Sequence, residues 1–230
     1  RASIKDMIES LGVPHTEIQV LRLRGDKISF EYIVQDQDRI EVYPPTPPCD
    51  VCKPSILCPD PLDSVRFVVD INVGKLAALL RMAGFDTAFP ANATDNELAA
   101  LSHTEKRILL TRDTSLLKRK IVTHGRLIRA IEPENQLKEV LWLYGQKNQL
   151  QPFSRCLCCN EKLVPVKKKE IEHRLLPLTK KYYHDFHQCT KCDKIFWAGS
   201  HRENMEKYLR IFEDIKPENA VNELFNQETD

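Results

Sequence analysis

The sequence has no apolar run approaching about eighteen residues, which excludes a membrane-spanning helix. Its opening stretch, Arg1 to Ile8, has no long apolar segment, so a secretory signal is not expected there. An initiator methionine is also missing, and a processed chain or a piece of a longer product is expected. Charge of one sign is lacking too: 34 Lys and Arg face 33 Asp and Glu, for a net charge of +1. That balance hides a gradient. Residues 1–64 sum to about −4, 65–150 to about +4, 151–210 to about +6 and 211–230 to about −5. The basic middle and third quarter leave a polyanion partner open.

Apolar content is not lacking. Hydrophobic residues make up 42% of the 230, enough for a packed core and too many for a disordered chain. The length predicts one large domain or two to three small ones. Eight cysteines fall in two groups: Cys49, Cys52 and Cys58, then Cys156, Cys158, Cys159, Cys189 and Cys192. Without a secretory signal a cytoplasmic, reducing location is expected, and paired C-x-x-C spacings there read as metal sites before disulfides.

Along the chain, Ser3 with Asp6 reads as a weak capping box. Ile4, Met7, Ile8 and Leu11 then share one helical face, which Gly12 and Pro14 end. Ile18–Leu23, Ile28–Val34 and Ile40–Tyr43 read as strands, the first two joined by a Gly25-Asp26 turn. Residues 46–64 are a Pro- and Cys-rich linker that cannot continue a sheet. From 65 to 150 short apolar strands alternate with helices: a strand over Arg66–Asp70, a helix over Val73–Ala83 stopping at Gly84, and a strand over Phe85–Phe89. Next come a helix capped by Thr94 and Glu97, a strand over Ile108–Thr111, a short helix over Ser115–Lys120, a strand over Leu127–Ile131 and a helix over Asn135–Tyr144. Such alternation predicts an α/β domain with a parallel sheet covered on both faces. A closing helix over 203–215 and an acidic tail over 216–230 complete the reading.

The sharpest chemical signal is Cys156-x-x-Cys159 paired with Cys189-x-x-Cys192. A two-residue gap lets one turn present two thiolates to one tetrahedral Zn²⁺, and two such turns close a structural site. The 29 intervening residues are more than the usual fifteen to twenty, so this ribbon carries an insertion. Lys167, Lys168, Lys169, Lys180 and Lys181, mixed with tyrosines, suit phosphate contact and base stacking, though a solvated loop looks the same. A second signal is placement. Asp70 ends one strand, Asp113 follows another, and Asp95 opens the helix between them. Ligands of open parallel sheets bind beyond the carboxyl ends of the strands. Clustered carboxylates there would favour Mg²⁺ or Mn²⁺, ions able to polarise a phosphodiester and activate water. Asp95 and Glu97 read equally well as plain capping residues. Cys49, Cys52 and Cys58 lack an evident fourth ligand and are read as linker residues without a site.

RFVVDINVGKLAALLRMAGFDT, NATDNELAAL and RILLTRD together resemble the PIN-like ribonuclease domain named for the C-terminal part of the mut-seven exonuclease. RCLCCNEKL with CTKCDKIFWAGSHRENM is similar to the zinc ribbon that closes that domain. SIKDMIESLGVPHTEI with RIEVYPP resembles the ubiquitin-like β-grasp domain fused in front of it in bacterial proteins. The resemblance implies a PIN-like three-layer α/β/α domain over 65–150, a zinc ribbon over 151–215, and a partial β-grasp unit over 1–45 whose first hairpin precedes Arg1. It implies a metal-dependent ribonuclease acting on RNA, with Asp70, Asp95 and Asp113 as catalytic acids holding Mg or Mn. Asn72, Glu97 and Thr111 support them, and Cys156, Cys159, Cys189 and Cys192 hold zinc. The alternative is a non-catalytic RNA-binding adaptor with an inert PIN-like fold. Ser115 stands where related domains place a fourth acid, and no Gly-Gly follows Tyr43, which argues against a sulfur-carrier role. The β-grasp unit is then a candidate surface for a protein partner.

Overall fold

The computed structural model describes residues 2–152 and 154–197; the expected closing helix and acidic tail lie outside the described residues. The chain divides into two compact units, Arg1–Ala77 with Thr87–Gln146, and Ala78–Asp86 with Lys147–Asp230. Among the described residues no helix is long and apolar enough to cross a membrane.

The first unit opens with α1 (Ile4–Ser10), whose N-cap Ser3 accepts from the Asp6 N–H while the Asp6 carboxylate accepts from the Ser3 N–H, the expected capping box. Strands β1 (Val20–Leu23), β2 (Asp26–Lys27) and β3 (Ile40–Tyr43) form an antiparallel sheet in the order β2-β1-β3. Ile4 and Ile8 of α1 pack with Ile18 and Leu21 in a small core. The segment 28–34 departs from its expected strand. Ile28, Phe30, Tyr32 and Val34 do turn inward alternately onto that core. Their backbone, however, bonds within a turn (Tyr32 N–H to Ser29 O) and to the chain start (Ile4 N–H to Tyr32 O, Val34 N–H to Ala2 O). Alternation predicted the burial correctly, but among the described residues a neighbouring strand accepts only the first N–H, Ile28 to Leu21 O of β1 at 3.1 Å.

The larger sheet is parallel, in the order β5-β4-β6-β7, built from β4 (Phe67–Val69), β5 (Thr87–Ala88), β6 (Ile108–Thr111) and β7 (Gly125–Leu127). Helices α2 (Gly74–Met82), α3 (Asp95–Thr104), α4 (Thr114–Leu117) and α5 (Pro133–Leu143) connect and follow the strands. Both faces of the sheet are covered. Val68 and Leu109 pack with Leu98, Leu116 and Leu117 of α3 and α4, while Phe67 points the other way, its ring 6.0 Å from that of Tyr144 at the end of α5. All six residues of Phe67–Val69 and Ile108–Leu110 are 0% exposed, so each side chain contributes about 1.5–3 kcal/mol of burial.

β7 starts two residues and ends four residues earlier than the expected Leu127–Ile131. A Cβ at Gly125 would stand 2.6 Å from Leu117 Cδ2, so glycine is what lets this strand lie against α4. Beyond Leu127 the strand ends because the Arg129 and Ala130 N–H groups donate to the Glu139 carboxylate of α5 rather than to a neighbour.

β7 is an edge strand, and the N-terminal β-grasp unit covers it. Glu17, only 6% exposed, accepts the outward Leu127 N–H at 2.9 Å and pairs with Arg129 at 2.8 Å. Arg126 Nη1 lies 3.2 Å from the same carboxylate without hydrogen-bond alignment. His15 Nε2 donates to the Val122 carbonyl at 2.8 Å. An open edge offers unpaired backbone groups to any passing strand, and Glu17 occupies one of them. Removing one member of a buried ion pair costs about 3–5 kcal/mol because the remaining charges stay buried. Glu17→Ala is therefore expected to lower the denaturant-derived stability of the full chain by that order. A loss below about 1 kcal/mol would mean that the contact is dispensable.

Candidate functional site: strand-end acids and a four-cysteine ribbon

The register of β4 against β6 sets Phe67 beside Ile108 and Val69 beside Leu110. The next step places the Asp70 N–H on the Leu110 carbonyl at 3.0 Å, so Asp70 and Thr111 leave the sheet side by side at its carboxyl end. Asp70 is 7% exposed and fully engaged. Oδ1 accepts from the Ile71 N–H at 2.6 Å, and Oδ2 accepts from the Thr111 hydroxyl and the Asn72 amide, each at 2.6 Å. Thr111 Oγ1 in turn accepts from the Asp113 N–H at 2.9 Å, so one hydroxyl joins the two acids. Asn72 Oδ1 accepts from the Arg112 N–H at 3.1 Å, which fixes the loop after β6.

Each of the three acids starts a helix. Asp70 caps the 3-10 turn Ile71–Val73, Asp113 caps α4, and Asp95 is the first residue of α3 behind its N-cap Thr94. Helix N-termini favour negative charge. Asp113 Oδ1 accepts from the Ser115 hydroxyl at 2.6 Å and from the Ser115 and Leu116 N–H groups. The Ser115 hydroxyl is the main cause holding the Asp113 carboxyl below its usual value. The residue standing in for a fourth acid thus steadies the third, and Asp113 Oδ2 has no hydrogen bond among the described residues. Asp95 Oδ2 lies 3.3 Å from Arg119 Nη2, and the same guanidinium donates to the Asn96 side chain. Arg119 has no motif to announce it in the sequence. Glu97 completes the capping box with Thr94 and is occupied there.

The second unit carries the ribbon, with β8 (Leu163–Val166), β9 (Phe186–Cys189) and β10 (Ile195–Trp197) as an antiparallel sheet in the order β10-β9-β8. Cys156 and Cys159 sit on one turn, Cys189 and Cys192 on the other. Sγ separations are 3.5 Å for Cys156 and Cys192, and 3.3 Å for Cys159 and Cys189. Four thiolates at about 2.3 Å from one tetrahedral zinc stand about 3.8 Å apart, so the donor set fits that ion. Among the described residues these four are the one group of three or more His, Cys, Asp or Glu whose ligand atoms all lie within 4.8 Å of one another. Asp70, Asp95 and Asp113 do not form such a group, and neither His184 nor His187 joins the cysteines.

The residue after each pair, Asn160 (φ 66°) and Asp193 (φ 59°), is left-handed, a conformation that Asn and Asp tolerate best after glycine. Burial pushes the Cys156 thiol up to about 12. Burial also raises Cys189, but the Cys192 and Lys191 N–H groups and the neighbouring thiols outweigh it and bring that group down to about 7. Cys158 stands outside the set, exposed, with Lys194 Nζ 2.9 Å from its sulfur.

The first turn is fastened from behind, which sequence reading missed. Arg81 of α2 is 6% exposed and donates to the Leu157 and Cys158 carbonyls at 3.0 and 2.9 Å. Arg155 donates to the Gly84 and Asn160 carbonyls, and Asn160 donates to Asp86 at 2.8 Å. The basic residues are spread over two short helices, α6 (Lys168–Ile171), behind its N-cap Lys167, and α7 (Pro177–Tyr182). Lys180 is paired with Glu172 at 2.9 Å, and the Lys181 ammonium lies 5.2 Å from the Tyr182 ring centre.

Bound structural zinc contributes folding energy outright. Cys189→Ser is expected to lose the ribbon zinc and lower the thermal midpoint by about 10 °C or more, the size of a loss of several kcal/mol in a chain of this length. Elemental analysis together with calorimetry checks both, and an unchanged midpoint at full zinc loss would separate metal from fold.

No curated protein and no solved structure matches the chain. Two families do: the Mut7-C ubiquitin family over residues 1–50 and the Mut7-C RNAse domain over residues 65–209. The second match takes in the parallel sheet, its strand-end acids and the four-cysteine ribbon. The protein therefore belongs to the Mut7-C RNAse domain family and carries a Mut7-C ubiquitin unit ahead of its nuclease-type domain.

Proposed function

We propose that the protein is a metal-dependent ribonuclease, with Asp70, Asp95 and Asp113 as the acids that hold Mg²⁺ or Mn²⁺. The observation that carries this reading is the junction at the carboxyl ends of β4 and β6, where Thr111 links Asp70 to Asp113. A bound Mg²⁺ or Mn²⁺ would polarise the scissile phosphodiester and make an attacking hydroxide available near neutral pH. Mg²⁺ keeps several of its waters and takes only one or two carboxylates directly, so the three acids need not all touch the ion. Asp70, pinned by three donors, supplies a fixed negative charge. Asp113 offers Oδ2 toward a cation while Ser115 holds Oδ1. Asn72 and Thr111 orient Asp70. Lys167, Lys168, Lys169 and Lys181 are assigned to phosphate contacts that position the strand without reading its sequence. Lys180, tied to Glu172, contributes less.

Ribbon thiols bind metal only when reduced, which supports a reducing, cytoplasmic setting. A protein partner would meet the N-terminal unit on faces other than His15–Glu17, which β7 already occupies.

End-labelled RNA and DNA incubated with the full chain in Mg²⁺, Mn²⁺ or EDTA test the reading. Cleavage of RNA is expected with either metal and none in EDTA. Asp70→Asn and Asp113→Asn keep a capping side chain and remove the charge, so each is expected to cut the rate by at least about a hundredfold, with a stability change within the ordinary cap range of roughly 2 kcal/mol. A wild type that binds RNA but cleaves none with either metal would leave the adaptor reading.

A further inference from the structure

The linker cysteines acquire in the structure the fourth partner that they lack in sequence. The linker folds against the first unit: the Cys49 N–H donates to the Leu143 carbonyl at 2.7 Å, and the Leu62 N–H to the Val51 carbonyl at 3.0 Å. Within that loop the Ser55 N–H bonds the Cys58 carbonyl at 2.9 Å, and the Cys58 N–H bonds Ser55 Oγ at 3.0 Å. The result sets the Cys58 thiol beside His124, the residue before β7 and 66 positions away in the chain.

The histidine is held as a metal-ligating histidine usually is. Its Nε2 lies 3.1 Å from the Asp60 carbonyl, which can only accept, so Nε2 carries the proton and Nδ1 keeps its lone pair. A ligand histidine commonly donates its other N–H to such a carbonyl. Cys58 Sγ lies 4.0 Å from Nδ1 and 3.4 Å from Nε2, along the edge of the ring. A sulfur and a nitrogen bound to one tetrahedral zinc stand about 3.6 Å apart, given bonds near 2.3 and 2.0–2.1 Å. Cys49 lines the same cleft of about 640 Å³ as Cys58 and His124, and Cys52 stands at the C-x-x-C distance from Cys49.

We propose that Cys49, Cys52, Cys58 and His124 are the ligands of a second zinc ion, a Cys₃His site separate from the ribbon. Cys58 Sγ and His124 Nδ1 are within about 0.4 Å of ligand spacing. Cys49 and Cys52 stand farther off than ligands of one ion do, since among the described residues only the ribbon cysteines form a closed group. Metal binding therefore draws residues 49–58 inward, and the ion staples the linker to the strand-edge side of the nuclease sheet. The donor set selects a soft or borderline ion, Zn²⁺ above Mg²⁺ or Ca²⁺.

Zinc counting on the intact chain, purified in reductant, loaded with excess Zn²⁺ and desalted, tests the site. Wild type is expected to hold two equivalents. Cys58→Ser, His124→Ala and Cys189→Ser are each expected to hold one, and Cys158→Ser, which removes the exposed spare thiol, to keep two. Titration of metal-free wild type with Co²⁺ gives an independent count that needs no variant to fold: its thiolate-to-metal absorption is expected to rise to a break at two equivalents. Saturation of wild type at one equivalent, or retention of two in His124→Ala, overturns the proposal. Neither outcome bears on RNA cleavage, which rests on the strand-end acids.

Discussion

The pairing of β4 with β6 is the constraint on which the rest of the nuclease-type domain depends. Both strands are buried on both faces, so slipping one by a residue would exchange the sides of every side chain. The register that results brings Asp70 and Thr111 out together, and the next two residues deliver Asp113. An acid so nearly buried is costly unless its charge is met by hydrogen bonds, and Asp70 receives three. The helix starts that cap the acids are therefore part of what makes a charged strand end tolerable.

Local chemistry was legible in the sequence and distant chemistry was not. Ser3 with Asp6 and Thr94 with Glu97 formed the capping boxes that their spacing predicts. Two C-x-x-C pairs announced a four-thiol cluster. The segment 28–34 shows why alternation alone misleads: it reports which side chains are buried, not whether a neighbour accepts the ladder. β7 was displaced because Gly125 is present for a close approach to Leu117, a need that appears only after folding. Arg119, Arg81 and His124 meet partners 24, 76 and 66 positions away, and nothing local marks them.

The N-terminal unit is small, with four buried aliphatic residues at its centre. It gains from its neighbour what it lacks alone, and the neighbour gains a covered edge. Glu17 meets three groups of the nuclease sheet and His15 a fourth, so the ubiquitin-like unit is integrated with the domain behind it rather than tethered at a distance.

On the proposed reading, in which the strand-end acids hold Mg²⁺ or Mn²⁺ and the ribbon holds zinc, the hydrogen bonds around the acids separate two kinds of dependence on metal. Asp70, Asp95 and Asp113 are each met by protein donors or by Arg119, so their charge does not await an ion before the sheet can form. The ribbon thiols also accept backbone N–H groups, as Cys189 does from Cys192, but the four stand in one cluster and repel one another once ionised. Ion exchange at the strand ends is thus a question of occupancy alone, whereas at the ribbon it is also a question of whether that part of the chain stays folded. On the proposed reading, scarcity of Mg²⁺ or Mn²⁺ would idle the molecule, and scarcity of zinc would expose it to proteases.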